Sequence, residues 1–399
     1  MDLNLLNNKN ILFIVHSYNF FQKFQIDILA KYFNEVYVLM RYKPIAELSN
    51  FLPIKSAKIH QKKNQINLIN TPENVKIFTV PLWYFPFKWF YSRLGKNHLR
   101  KAVTIIKKND LKFDLIHGHF TWTAGYVGVE LGKIYNCKCI ITIHESMANN
   151  RLFHEIQKQE NNIVNTYKKA DLLICVNKKS IDIFKEFNKS VLYIQNGYNK
   201  KLFYPITNDK IKEKMGLKKS ERLILSIGHL NSNKGHINLI EAIKILKNDN
   251  IKCFIIGVGG LYDYLLKFIK NNKLTENVKL LGFLPPEKLN DYINASDVFV
   301  LTSKFESFGI VQIEALACGK PVVATRNGGS EEIIVNEEIG LLCEKENPVD
   351  LADKIDLALN KEWDKKKILE YAKQFEWEII CEDIAKQYLK LINGKNEYI

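Results

Sequence analysis

Two glutamates eight residues apart frame the segment Glu306-Ser-Phe-Gly-Ile-Val-Gln-Ile-Glu314-Ala-Leu-Ala-Cys-Gly-Lys-Pro321. Gly319 and Pro321 supply a helix stop, so the apolar run before them predicts a short helix opening near Ser307 to Gly309. The N–H groups of Phe308, Gly309, Ile310 and Val311 would then point into the turn unpaired, where a diphosphate could accept them along the helix dipole. Two carboxylates would repel that anion, which leaves sugar hydroxyls as their partners. A plainer alternative has Glu306 complementing the helix dipole and Glu314 on a solvated face. Upstream, Leu223-Ile-Leu-Ser-Ile-Gly228-His229-Leu-Asn-Ser-Asn-Lys234-Gly235-His236 runs an apolar strand into a glycine turn and then a lysine. Glycine lets backbone approach a ligand, and the lysine supplies a mobile point charge for phosphate.

Together the two segments resemble the family-4 retaining glycosyltransferases of the GT-B fold (glycosyl transferases group 1). That family carries a glycine-basic turn, a lysine-glycine pair and two glutamates eight apart, in this order. The likeness extends to Gln195-Asn-Gly-Tyr198 with Leu202-Phe203, to Leu281-Gly-Phe283-Leu284, and to Asn327-Gly-Gly329 with Gly340-Leu-Leu342. It is dense over residues 190–345 and sparse before them. The resemblance implies that Lys234 and His229 meet the diphosphate, that the Phe308 to Val311 amides hold phosphate and sugar, and that Glu314 binds ribose hydroxyls. It also implies that Glu306 and His144 orient the sugar, with Gly228, Phe283 and Leu284 lining the donor site. The fold normally works without metal or cofactor, so none is expected.

Two departures stand out. His229 occupies a position that is commonly arginine, and imidazole is fully charged only below about pH 6.5. The N-terminal loop, Val15-His-Ser-Tyr-Asn-Phe-Phe-Gln22, lacks the family's usual glycine pair, so acceptor details do not carry over.

Those motifs need strands to position them. Short apolar runs alternate with longer amphipathic ones, the pattern of parallel sheets with helical crossovers. The runs are 11–15, 36–40, 75–80, 114–119, 139–144, 172–176 and 191–194, then 223–228, 253–257, 278–283, 298–301, 322–325 and 340–343. Two doubly wound α/β domains follow, expected to face one another across a cleft as in GT-B. Their expected bounds are 1–200 for an acceptor-side domain, completed by a crossing helix within 375–399, and 201–374 for a nucleotide-sugar domain. Ligands of open parallel sheets bind beyond the C-terminal strand ends, and every motif above falls there. The rule also picks out His16, His117, His119 and His144. His117 and His119 share a strand face and could suggest a metal, but no carboxylate lies close in sequence. Single strand-end histidines are also common structural residues.

The 399 residues are enough for two domains, and no apolar run of about 18 residues exists to span a bilayer. The first residues lack the features of a secretory signal, which implies a cytoplasmic location. Seven cysteines without a second close pair read as reduced core residues.

Charge is uneven: residues 1–190 carry a net +14 and the remainder +1. No nucleic-acid-binding pattern accompanies the excess. Within that half, Pro81 to Lys101 sets seven aromatics beside five cations. Trp83, Lys88, Trp89, Phe90, Arg93 and Lys96 are therefore expected to meet an anionic membrane surface, rings at headgroup level and cations on lipid phosphate. The competing reading packs these aromatics inside the acceptor-side domain.

The expected function is transfer of a hexose or hexosamine from a nucleotide-sugar to a glycan or lipid-linked acceptor, with retention, in cell-surface polysaccharide or glycolipid synthesis. Rivals are a nucleotide-sugar epimerase on the same fold, exposed by turnover without acceptor, and a non-catalytic subunit that binds no nucleotide.

Overall fold

The computed structural model describes residues 2–50, 61–83, 88–145, 161–206 and 211–394, with the side chains of 20, 48–50, 88–92 and 161 excepted. The chain divides into two compact units, one running to Gln195 and resuming at Trp377, the other spanning Asn196–Glu376.

The first unit holds seven parallel strands: β1 (Asn10–Val15), β2 (Glu35–Tyr42), β3 (Val75–Pro81), β4 (Leu115–His119), β5 (Lys138–Ile143), β6 (Leu172–Cys175) and β7 (Val191–Tyr193). Their order is β3-β2-β1-β4-β5-β6-β7. The second unit holds six: β8 (Arg222–Ile227), β9 (Ile251–Ile256), β10 (Val278–Gly282), β11 (Val298–Leu301), β12 (Val322–Thr325) and β13 (Gly340–Cys343). These are ordered β10-β9-β8-β11-β12-β13. Each apolar run of the sequence is a strand, because a parallel strand covered on both faces must be apolar at consecutive positions. Ile11 to Val15 and Leu223 to Ile227 are buried throughout.

Both orders reverse at one point, between β1 and β4 and between β8 and β11, where crossovers leave to opposite sides and open a crevice. Register at these seams is set by Ile14 opposite Gly118 and by Val298 opposite Ile224.

Helices α1 (Phe20–Ala30), α2 (Lys88–Lys108) and α3 (Tyr126–Tyr135) belong to the first unit, and α4 (His236–Leu246) and α5 (Ile310–Ala317) to the second. The last helix, α6 (Trp377–Ile392), returns to the first unit. Its buried stripe, Trp377, Ile380, Cys381, Ile384, Ala385, Tyr388, Leu389 and Leu391, repeats every three to four residues. That stripe packs with Phe13, Ile26 and Val38 in one core. Each large apolar side chain so buried contributes about 1.5–3 kcal/mol. All seven cysteines are free thiols, six of them buried.

The segment proposed for a membrane is helical from Lys88 onward. Trp83 is 50% exposed, while Leu94 and His98 face the core. Arg93 and Lys96 are exposed on the same helix. Residues 84–87 and the side chains of Lys88, Trp89 and Phe90 lie outside the described part.

Candidate nucleotide-sugar site

In the second unit the chain leaves β8 at Gly228 and makes a tight turn over Ser232–Lys234, closed by Asn231, whose side chain accepts from Lys234 N–H at 3.1 Å. Gly235 follows at φ +62, and a Cβ there would stand 2.2 Å from the Thr302 carbonyl oxygen. Only glycine lets the turn lie against the end of β11. Thr302 Oγ1 donates to the Lys234 carbonyl at 2.8 Å, Lys304 N–H donates to Asn233 O at 2.7 Å, and Asn233 Nδ2 donates to Phe305 O at 3.0 Å. The loops after β8 and β11 are thus laced together across the seam.

That lacing brings Lys234 to Glu306, and the two form an ion pair with side chains 23% and 13% exposed. Ser303 Oγ donates to the same carboxylate oxygen at 2.6 Å. Glu306 N–H donates to Asn327 O at 3.1 Å, while the Asn327 side chain accepts from Gly329 and Ser330 N–H. Glu306 is therefore a held, paired carboxylate and not one of two free ones, because the β8 and β11 loops meet and bring Lys234 to it. Ser303 and Thr302 position it without having stood out in the sequence, where their only signal is adjacency to the motifs; Asn233 and Asn327 lie inside quoted segments that gave them no role.

Helix α5 starts one residue beyond the expected window, at Ile310, with Gly309 as its cap at φ +93. Among the described residues the N–H groups of Phe308, Gly309, Ile310 and Val311 have no acceptor. The Phe308 ring is buried in the core, so this residue can offer only its backbone. One turn on, Glu314 is half-buried and makes no hydrogen bond or ion pair among the described residues. Burial pushes its carboxyl up to about 8. An unpaired acid in a confined setting suits a ligand that brings its own hydroxyls.

His229 is exposed, and Gly228 sits against the Lys234 stem, 3.5 Å from where its Cβ would be. Gly257 at the end of β9 leaves no room for a side chain, since a Cβ would fall 1.9 Å from Gly228 O. His236, the first residue of α4, is buried, its Nε2 has no hydrogen-bond partner among the described residues, and its pKa is lowered to about 4 by desolvation and then by Lys234. Sequence reasoning gave it no role. After β10, the Phe283 ring is 64% exposed and Leu284 packs at the core's edge.

In the first unit, His144 closes β5 and its Nε2 lies 3.0 Å from His119 Nδ1. Burial, then His119, holds His144 well below the usual imidazole range, so both rings are neutral at pH 7. His117 is fully used, with Nδ1 2.6 Å from Tyr388 Oη and Nε2 2.7 Å from Thr142 Oγ1. It ties α6 to the sheet. No group of three or more His, Cys, Asp or Glu side chains suited to a metal forms among the described residues.

Two parallel-sheet units, each with a strand-end crevice at its seam, and in the second an ion pair beside helix-end amides that no described residue accepts, have the architecture of a GT-B fold. The family Glycosyl transferases group 1 matches residues 207–375, and Glycosyltransferase Family 4 matches residues 61–201. An uncharacterized glycosyltransferase of Methanocaldococcus jannaschii is 32% identical over 75% of this chain and 79% of its own length. Sucrose-phosphate synthase from Thermosynechococcus elongatus superposes with TM-score 0.78 at 22% identity, covering 97% of this chain and all of that one. The Anabaena protein HepE, solved in complex with UDP-glucose, superposes with TM-score 0.69 at 23% identity over 96% of this chain and all of its own. The chain belongs to the group 1 glycosyltransferases, of family-4 type and GT-B fold.

Proposed function

We propose that this glycosyltransferase acts with retention, moving a hexose or hexosamine from a nucleoside diphosphate sugar to a glycan or lipid-linked acceptor in cell-surface polysaccharide or glycolipid synthesis. One observation carries the donor half of this reading: four backbone N–H groups at the start of α5, with no acceptor among the described residues, share a strand-end turn with the Lys234–Glu306 pair. In this reading the amides of Phe308, Gly309, Ile310 and Val311 hold phosphate and sugar, and Lys234 with His229 meets charge on the departing diphosphate. Glu314 takes the ribose hydroxyls, Glu306 and His144 orient the sugar, and Phe283, Leu284 and Gly228 border the nucleotide. Donors already fixed by the fold stabilise charge as it develops, without reorganising. Retention without a carboxylate nucleophile corresponds to front-face substitution, in which the leaving diphosphate assists the incoming hydroxyl.

Lys234→Ala removes the cation that meets the leaving group, so turnover of the sugar donor should fall roughly a hundredfold or more with folding kept. Near-normal turnover in this variant would sink the assignment. A thermal-shift screen of nucleoside diphosphates identifies the base, because a ligand at 100 times its Kd stabilises by about 2.7 kcal/mol.

The location we propose is cytoplasmic, at the inner face of the cell membrane. Exposed Trp83, Arg93 and Lys96 and the +14 of residues 1–190 support it. No helix among the described residues is long and apolar enough to cross a bilayer. The protein should sediment with anionic vesicles at low salt, less so as salt screens the cations, and poorly with neutral ones. Indifference to anionic vesicles at low salt would show that the aromatic segment serves another purpose.

A further inference from the structure

Beneath the amides that open α5 lies Gln312, fully buried and three residues after the Gly309 cap. Its side-chain Nε2 donates in a shared contact to the carbonyls of Phe308 and Gly309, 3.4 Å from each. The Gln312 backbone N–H also reaches the Gly309 carbonyl, at 3.0 Å. Oε1 is buried and has no hydrogen-bond partner among the described residues. A Cβ on Gly309 would stand 2.3 Å from Nε2, so the amide fills the space that a side chain at 309 would need. Two acceptors face this amide, and only its NH2 end can meet them.

A glutamine three residues past a helix cap ordinarily turns its oxygen back onto the N–H of the cap residue and so satisfies that donor. Here the arrangement is reversed. The side chain takes the two carbonyls and leaves the Gly309 N–H without an acceptor among the described residues. In a planar trans peptide the C=O and the following N–H point in opposite directions, so a carbonyl held toward Gln312 turns the next N–H away from it. Holding Phe308 O therefore aims the N–H of Gly309, and holding Gly309 O aims that of Ile310. An orphaned, buried Oε1 is unfavourable, and a methionine would fill the same volume without it.

We propose that Gln312 is a positioning residue for the sugar donor: its side-chain amide holds the Phe308 and Gly309 carbonyls, so that the Gly309 and Ile310 N–H groups stay free and aimed at the donor's diphosphate. This rests on the donor reading above, in which those N–H groups hold phosphate and sugar. Gln312 acts through the two peptides and touches no donor atom. An anion at a helix start gains most when its N–H donors are already in place, because nothing then has to reorganise as it arrives.

The test compares Gln312→Met and Gln312→Glu with the unchanged full chain by titration calorimetry of UDP, GDP, ADP, CDP and TDP, at a temperature where melting shows each protein folded. Gln312→Met keeps the volume and removes the amide, and affinity for the diphosphate that the unchanged chain binds should fall about tenfold. Gln312→Glu restores the ordinary cap, its carboxylate taking the Gly309 N–H and repelling the anion, and affinity should fall roughly a hundredfold or more. The Gly309 amide proton, followed by NMR in protein with nitrogen-15 glycine, reads the aim of that donor directly. On diphosphate binding it should move downfield in the unchanged chain and much less in Gln312→Met, whereas in Gln312→Glu it should stand downfield before any ligand is added. A purely structural glutamine would leave that proton's response unchanged in whichever variant folds. Binding by the variants as tight as by the unchanged chain, or an unaltered Gly309 response, overturns the positioning role and leaves the donor reading standing. Failure of the unchanged chain to bind any of these diphosphates overturns both.

Discussion

Glu306 and Glu314 share a residue type and a motif, yet their surroundings give them different chemistry. Glu306 is paired with Lys234 and fixed by Ser303, whereas Glu314 has only burial acting on it and rises to about 8. At pH 7 the free protein therefore carries Glu314 mainly as the neutral acid, ionising as pH rises through about 8. In the role proposed for Glu314, ribose hydroxyls donate to its carboxylate, so nucleotide binding would favour the ionised form. Affinity for the nucleoside diphosphate picked out by the screen should climb roughly tenfold between pH 6.5 and 8 and level off above, and Glu314→Gln should flatten that profile while weakening binding. Calorimetry over that range decides it; parallel profiles would remove Glu314 from the nucleotide site. The sequence displayed both glutamates but not their difference. The Lys234–Glu306 contact joins loops after β8 and β11, and nothing local to either segment states that these two strands are neighbours.

At the level of elements, the strands were legible because parallel strands covered on both faces leave unbroken apolar runs. The helix start at Ile310 was nearly so, from Gly309 and the Gly319 stop. The tight turn at Ser232–Lys234 was not, since its form depends on the Thr302 carbonyl pressing from another strand. Gly235→Ala tests that dependence. The substitution brings a left-handed φ that costs about 1–2 kcal/mol, and in addition a 2.2 Å collision with backbone. Gly216 has a similar φ of +73 with nothing within 4 Å of a Cβ, so Gly216→Ala carries the first cost alone. Urea unfolding should show Gly235→Ala to be the more destabilising, and turnover should fall only there, because the displaced turn bears Lys234. Equal losses of stability would mean that the turn yields freely.

For the whole molecule, the buried histidines set a pH limit. His98 and His119 are lowered to about 3 and His236 to about 4, while His16, His117 and His144 lie well below 6.5, all chiefly by desolvation. Because the folded values are depressed, the stability these rings contribute is present above the unfolded value of 6.5. It drains as pH falls from there toward the folded values, while the unfolded chain takes up protons that the folded one refuses. Each such ring makes stability fall by about 1.4 kcal/mol per pH unit in that window. Calorimetric melting should drop steeply between pH 6.5 and 5; a flat profile would mean the histidines open to water at little cost. Two α/β units were legible from the doubled strand pattern. The neutrality of the histidine cluster was not, because it follows from which strand ends the sheet order brings together.

Helix α6 belongs to the unit that the chain began, so the second unit is an insertion between its parts. During synthesis, Asn196 to Glu376 emerges complete while the earlier-made sheet still waits for the apolar stripe that covers Phe13 and Val38. At roughly 5–20 residues per second that interval lasts about 10–40 s. The order of maturation on the ribosome is thus inverted, the later-translated unit closing first. Throughout that delay the first unit lacks the stripe that buries Phe13 and Val38, so its core is the last part of the fold to be sealed.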